Sequence, residues 1–195
     1  KQGRICADNV AGKRVPFKGS MGTSVAKVFD LTVAATGINE KTLKREGKVY
    51  GTDYYTVLVH PNSHAGYYPG ALPMTLKVIF DMNGKVLGAQ NVGYDGVEKR
   101  VDVIATAIRF GATVYDLAEL ELAYAPPYSS AKDPVNMAGF VGENILMGIE
   151  KPFQWHEFQD IDPNTVILDV REPMEREMGF ITNSINIPVD QLRAR

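Results

Sequence analysis

The sequence predicts an α+β fold, an antiparallel sheet with packed helices, followed by an incomplete α/β segment. Three observations carry that prediction. Residues 74–80 and 85–92 flank Asp81-Met82-Asn83-Gly84, a hairpin whose Asn83-Gly84 pair supplies the positive-φ positions of the turn. Residues 54–60 read Tyr-Tyr-Thr-Val-Leu-Val-His, a run suited to a pleated, half-buried surface. Val97, Val101, Ile104, Ala105 and Ile108 recur at helical spacing and form a stripe that can cover such a sheet, with Lys99, Arg100 and Asp102 off the stripe.

The remaining elements follow in chain order. Residues 5–10 form a short helix that ends at Ala11-Gly12, and residues 14–22 are rich in turn formers, with Pro16, Gly19 and Gly22. Val25, Val28, Leu31 and Val33 are apolar in a β-branched segment, which reads as strand, with helix as the alternative because alternation is imperfect. Thr36-Gly37-Ile38-Asn39 turns the chain, and Asn39 caps a short helix over 40–46 that Gly47 terminates. Pro61 stops the strand over 54–60, and a loop follows that carries Tyr67-Tyr68 between glycines and Pro69. Three antiparallel strands with one apolar face need a helical cover. Gly111 ends the covering helix, and Thr113-x-x-Asp116 resembles a capping box before Leu117 and Leu120. Asp133-Pro134 joins a capping carboxylate to proline at the first helical position. The helix it starts carries Val135, Gly139, Gly142, Leu146 and Ile149, small enough in places for close packing in an interface or in a core.

Pro152 marks a boundary. Beyond it, four arginines face eight acids, whereas the residues before it carry a small positive excess. There the sequence predicts a short helix over 155–159, a strand over 166–170, helix or turn over 172–178, and a brief strand-like run ending at Asn186-Ile187-Pro188. One or two strands cannot bury both faces alone, so this segment is expected to need further sequence or docking. Lys1 has no Met before it and both ends look cut, so a fragment of a longer protein is expected.

Composition narrows the function. A formal net charge of −2 provides no electrostatic footprint for nucleic acid or an anionic membrane. No apolar run approaches the roughly 20 residues of a membrane-spanning helix, and no signal peptide is visible. Cys6 is the only cysteine, which rules out a disulfide framework, suggests the cytoplasm and reads as a small hydrophobe on a helix. No nucleophilic cysteine follows residue 6. No glycine-rich stretch has the strand–turn–helix setting of a phosphate cradle. His60 and His64 straddle Pro61 and have no clustered partners, so no metal site is expected and His60 reads as a strand-end residue with a satisfied ring. Asp169 and Arg171 suggest a buried ion pair at a strand end. Tyr67, Tyr68 and Tyr128, the last in Ala125-Pro126-Pro127-Tyr128-Ser129-Ser130, are large side chains on rigid turns. They either pack the loops onto the sheet or line a pocket rim, where a hydroxyl could act on a partner within about 3 Å.

Several segments resemble one family. Gly19-Ser20-Met21-Gly22-Thr23-Ser24-Val25-Ala26-Lys27-Val28-Phe29-Asp30-Leu31 resembles the start of the dimerisation domain of coenzyme A–disulfide reductases and their NADH oxidase relatives, members of the pyridine nucleotide–disulfide oxidoreductases. The hairpin, and the stretch from Ala125-Pro126-Pro127-Tyr128-Ser129 through Lys132-Asp133-Pro134-Val135-Asn136, resemble its later part. Gln2-Gly3-Arg4 through Ala7-Asp8-Asn9 resembles the last helix of a preceding flavin-binding domain. Leu168-Asp169-Val170-Arg171-Glu172, Gly179-Phe180-Ile181 and Ser184-Ile185-Asn186-Ile187-Pro188 resemble the opening of a rhodanese-like domain. The implied organisation is the tail of an FAD-binding domain over 1–20, the dimerisation domain over 21–150 and the start of a rhodanese-like domain over 153–195.

The resemblance implies a full-length homodimeric enzyme that binds FAD, takes a hydride from NAD(P)H and reduces coenzyme A disulfide or per/polysulfides. Coenzyme A itself is a further candidate ligand. It implies that Tyr128, with Tyr67 or Tyr68, reaches the partner subunit's active site to position or protonate a leaving thiolate. Gln2, Gly3 and Arg4, with Pro126 and Pro127, would lie near the flavin. In the wider glutathione-reductase-like group a His-Pro pair falls where Ala125-Pro126-Pro127-Tyr128 stands; this chain has no histidine there, which argues against that general-base chemistry. Both active-site cysteines would lie outside these residues, so the fragment alone is expected to be inactive. The alternatives are a purely structural dimerisation module of an NADH oxidase and a sulfurtransferase-centred fusion protein.

Overall fold

The computed structural model describes residues 1–194. The chain divides into two compact units, one of residues 1–151 and one that begins at Pro152.

The first unit is built on a five-stranded antiparallel sheet: β1 (Ser24–Val28), β2 (Leu31–Gly37), β3 (Tyr54–Val59), β4 (Met74–Asp81) and β5 (Val86–Gly93). The spatial order is β1-β2-β5-β4-β3. The α+β class with an antiparallel sheet and packed helices is therefore observed, with five strands rather than four. The additional strand comes from the segment around Val25–Val33, which is two elements rather than one. It folds back at Phe29-Asp30, with Phe29 at φ 52°, pairing Val28 with Leu31 and Ala26 with Val33. The fold-back is why alternation in this segment is imperfect.

The β4–β5 hairpin forms where the sequence places it, but its turn differs. Only Gly84 has positive φ, at 83°; Asn83 does not. Asp81 does the remaining work, because its carboxylate accepts from the backbone N–H of Asn83 at 2.9 Å and of Lys85 at 3.0 Å. An Asp side chain bonded two residues on stabilises a turn with ordinary φ at its central positions.

Helices cover one face of the sheet. They are α3 (Val97–Phe110), α4 (Val114–Glu119) and α5 (Pro134–Leu146). α3 lies on β2 and β5, while α5 lies on β3 and β4. The core between them contains Leu76, Val78, Phe80, Val86, Ile104, Leu117, Val135 and Ala138, each with 1% exposure or less. Burial of each large member contributes about 1.5–3 kcal/mol. On the other face α2 (Glu40–Arg45) brings Leu43 onto Tyr54 and Ile79. Asn39 caps α2 by accepting from Thr42 N–H, and Glu40 accepts from Lys77 and Tyr54.

The helix starts follow their capping chemistry. Thr113 and Asp116 form a capping box on α4; Asp133 and Asn136 form one on α5. Gly139 and Gly142 serve an intrachain contact. A Cβ at Gly139 would lie 2.8 Å from Ala118 Cα, and one at Gly142 would lie 2.9 Å from Val114 Cβ. α5 ends at Leu146, so Ile149 lies outside it and is exposed. At the other end of the chain, α1 (Gln2–Val10) buries no residue, and Cys6 is exposed rather than packed.

The second unit is smaller. It has a 3₁₀ turn at Trp155–Asp160, a parallel pair of two-residue strands, β6 (Leu168–Asp169) and β7 (Ile185–Asn186), the short helix α6 (Pro173–Glu177) and a 3₁₀ turn at Val189–Ala194. The strand expected over 166–170 is thus limited to two residues. Among the described residues, no helix is long and apolar enough to cross a membrane.

Candidate functional site

Two loops rise from one end of the first unit: residues 61–73, between β3 and β4, and residues 120–132, between α4 and α5. Each is held by its own short bonds. In the first, Ser63 N–H donates to Leu72 O at 2.8 Å, and Leu72 N–H donates to Ser63 Oγ at 3.2 Å. In the second, Tyr128 N–H and Ser129 N–H both donate to Ala125 O, which forms the turn at Pro126-Pro127. Asn136 holds the start of this loop, its amide donating to Leu117 O at 3.1 Å and Leu120 O at 2.9 Å.

The loops are braced to each other. Ala65 N–H donates to Ser129 O at 3.1 Å. Beneath them lies Arg100, only 1% exposed. It donates to Ser63 O at 2.8 Å, to Ser129 Oγ at 3.3 Å and to Gly96 O at 3.0 Å, and pairs with Asp133 at 3.0 Å. Ser129 Oγ donates to Asp133 at 2.7 Å. Arg100 therefore sits off the apolar stripe, yet it is buried. Gly96 has φ 63°, and a Cβ there would run into Arg100 Nη1.

This scaffold presents tyrosines to solvent. Tyr67 and Tyr128 are 78% and 72% exposed, with Tyr68 less so. The structure joins Tyr67 to Tyr124: their hydroxyls lie 3.0 Å apart. Tyr124 is itself exposed, and its hydrogen bond with Tyr67 raises its pKa above the ordinary tyrosine range. Sequence reasoning singled out Tyr128, on the Pro-Pro turn, and missed Tyr124. The available signal was weak: Tyr124 opens the same proline-bearing stretch, but nothing in the linear order ties it to a loop 57 residues away. Tyr68 is turned to a different use, its ring meeting that of buried His64 edge-on at 5.8 Å. His64 Nδ1 lies 3.2 Å from Ala65 O, and His60 Nδ1 is satisfied by Thr75 Oγ1 at 3.0 Å.

Of the other expected site residues, Pro126 and Pro127 follow Tyr124 on the same turn, whereas Gln2, Gly3 and Arg4 lie far from the pair in the chain. Gln2 and Gly3 line a groove of about 670 Å³ with Phe17, Lys18, Met21 and Arg109; Arg4 is not part of its lining. Pro126 is half-buried and Pro127 is exposed. Among the described residues, no group of three or more His, Cys, Asp or Glu side chains could hold a metal ion. In the second unit, Asp169 accepts from Arg171 at 2.8 Å and from Arg176 at 3.2 Å. Arg171 is exposed, so this is not the buried pair expected. The Arg171 guanidinium, supported by Arg176, holds the Asp169 carboxyl well below the usual carboxylate range.

The coenzyme A disulfide reductase of Staphylococcus haemolyticus strain JCSC1435 is 42% identical over 143 residues, 72% of this chain and 31% of that protein. The crystal structure of reduced Bacillus anthracis CoADR-RHD superposes with a TM-score of 0.92 at 56% identity, over 100% of this chain and 35% of that one. The NAD-dependent persulfide reductase from A. fulgidus superposes with a TM-score of 0.87 at 42% identity, over 100% of this chain and 34% of that one. The chain spans about a third of the length of each of these proteins. Residues 23–134, more than half of the chain, match the family model described as pyridine nucleotide-disulphide oxidoreductase, dimerisation domain. The chain belongs to that family.

Proposed function

We propose that this chain is part of an FAD-dependent NAD(P)H:disulfide reductase acting on coenzyme A disulfide or on per- and polysulfides. Within it, the first unit provides the homodimer interface and presents the Tyr67–Tyr124 pair to the partner subunit's active site. The observation that carries this reading is the hydroxyl pair itself. Two exposed phenols meet at 3.0 Å on loops braced by a buried ion pair. Tyrosines that merely packed the loops down would turn their rings inward. The relatives named as coenzyme A disulfide reductase and persulfide reductase support the substrate class.

The physical chemistry selects a role for the pair. An ordinary tyrosine has a pKa near 10 and a thiol near 8.5. Full proton transfer from tyrosine to a leaving thiolate is therefore uphill by roughly 2 kcal/mol. A raised Tyr124 pKa makes it steeper. The pair acts instead as a hydrogen-bond donor. One O–H bonds within the pair and the other points outward to a thiolate as the S–S bond breaks. A charge-assisted bond of this kind stabilises the developing anion without moving the proton. Tyr128 and Tyr68 stand at the rim of the same loops.

Gln2 and Gly3 at the groove, Arg4 beside them on α1, and the turn at Pro126-Pro127 are exposed or half-buried backbone and side chains that suit contact with a flavin edge. Among the described residues, no glycine-rich strand–turn–helix cradles a pyrophosphate, so these residues would supplement a flavin site built mainly elsewhere. FAD, when bound, supplies the electrons that it receives from NAD(P)H. We read the segment from Pro152 onward as the opening of a rhodanese-like domain. Its parallel strand pair, the lock of Arg171 and Arg176 on Asp169 and its superposition on the Bacillus anthracis structure support that reading. With Cys6 as the only cysteine, the setting is read as cytoplasmic.

The test uses the full-length flavoprotein. Tyr67→Phe and Tyr124→Phe, singly, should each lower kcat for disulfide or persulfide reduction about 10-fold or more, as expected on losing a donor aimed at developing charge. Reduction of the bound flavin by NAD(P)H should be unaffected. Unchanged kcat in both variants, or a monomeric mass for the parent enzyme, would overturn the reading.

A further inference from the structure

We propose that Arg100 is a positioning residue: its guanidinium clamps the loop bearing Tyr67 to the loop bearing Tyr124 and so sets the separation of their hydroxyls. The proposal rests on the reading of the tyrosine pair given above.

Arg100 is the largest fully buried side chain of the protein among the described residues. A guanidinium inside a core is costly unless its donors are all answered. Here the fork is distributed between the loops. One arm reaches the Ser63 carbonyl, four residues before Tyr67. The same nitrogen reaches Ser129 Oγ, five residues after Tyr124, and the Asp133 carboxylate that Ser129 also bonds. The remaining arm closes on Gly96 O, at the start of its own helix. A leucine at this position would extend the apolar stripe and avoid the desolvation, and exchange of a buried ion pair for apolar residues is often neutral in stability. An apolar side chain could not bond Ser63 and Ser129 at once. Without the clamp, the loops are joined by Ala65 N–H to Ser129 O and by the tyrosine hydroxyls themselves. The hydroxyl contact is exposed and competes with water, so it cannot hold the loops in place alone. The bidentate fork of arginine, rather than positive charge, is what the geometry uses.

Misplacement of a reacting group by about 1 Å can cost up to about 100-fold in rate. The test therefore uses Ser129→Ala, which removes a loop anchor but leaves the Arg100–Asp133 charges paired, together with Arg100→Lys, which keeps the charge but loses the fork. Both are made in the full-length holoenzyme and in a Tyr124→Phe background. Ser129→Ala and Arg100→Lys should each lower kcat about 10-fold with the KM for NAD(P)H unchanged. Neither should lower it further once Tyr124 is Phe. With 3-fluorotyrosine at position 124, the fluorine resonance should titrate at lower pH in Ser129→Ala than in the parent, because the bond with Tyr67 has loosened.

Full activity of Arg100→Lys would overturn the clamp, as would losses that multiply undiminished in the Tyr124→Phe background. An unmoved fluorine titration would also overturn it, whatever the rates. If Tyr67→Phe and Tyr124→Phe turn over normally while the fluorine titration moves, the clamp on the loops stands and the catalytic reading of the pair falls.

Discussion

Replacing Asp133 by Ala removes three interactions with one substitution, and the structure sets the cost. Asp133 caps α5 through Val135 N–H at 3.0 Å, receives Ser129 Oγ at 2.7 Å and neutralises Arg100 at 3.0 Å. Loss of the cap costs about 1 kcal/mol. Loss of one partner from a buried ion pair costs about 3–5 kcal/mol, because the surviving charge stays buried and unpaired. The two overlap in one carboxylate, so the expected total is about 4–5 kcal/mol rather than their sum. Domain stabilities lie around 5–15 kcal/mol, so the first unit would be left near its folding threshold. Asp133→Asn keeps an oxygen for the cap and for one guanidinium N–H but also removes the counter-charge, so it should still cost about 3 kcal/mol or more. Urea unfolding measures both. It should be followed by far-UV circular dichroism, because the sole tryptophan, Trp155, lies in the second unit and does not report on the first. A loss under about 1.5 kcal/mol for either variant would refute the view of Asp133 as the counter-ion of a buried cation.

Two further predictions concern the frame. Gly139→Ala should destabilise the first unit by about 1–3 kcal/mol, since its Cβ meets the Ala118 backbone where α5 crosses α4; a neutral effect in urea unfolding would show that the helices can separate freely. For Glu40, burial alone would raise the pKa, but the Lys77 ammonium and the Tyr54 hydroxyl outweigh it and hold the carboxyl below its usual 4.5. A depressed folded-state pKa stabilises above the unfolded value and loses that contribution as pH falls through the folded one. Unit stability should therefore drop on acidification below about pH 4.5, and Glu40→Gln should flatten that drop while lowering stability at neutral pH. An unchanged pH profile in the variant would remove Glu40 as its source.

Local chemistry was legible wherever a few adjacent residues decide the backbone. Asn39, Thr113 with Asp116 and Asp133-Pro134 announced their helices, because a capping side chain acts within three residues. The hairpin at Gly84 was visible for the same reason, although Asp81 rather than Asn83 completes the turn. The β1–β2 hairpin was less clear. Phe29 holds φ 52° without the glycine that would have flagged it, so two strands looked like one irregular segment.

The candidate site was half legible. Tyr67 and Tyr68 stood out because aromatic residues on a Gly/Pro loop are unusual, but exposure and pairing separate Tyr67 from Tyr68, whose ring meets His64. Tyr128 drew attention for its rigid turn, whereas the hydroxyl that meets Tyr67 belongs to Tyr124. Arg100 was read only as lying off an apolar stripe, because periodicity reports which face a residue occupies and not what a buried polar group bonds to.

The amino-acid order alone determined the fold class, the helix starts, the main hairpin and the break at Pro152, which rest on contacts between near neighbours or on repeating pattern; the family resemblance rests on its motifs. The tertiary structure decided the number and order of the strands, the burial of Arg100 and the meeting of Tyr67 with Tyr124. The last two depend on loops far apart in the chain being brought over one guanidinium, and no local rule encodes a partner dozens of residues away.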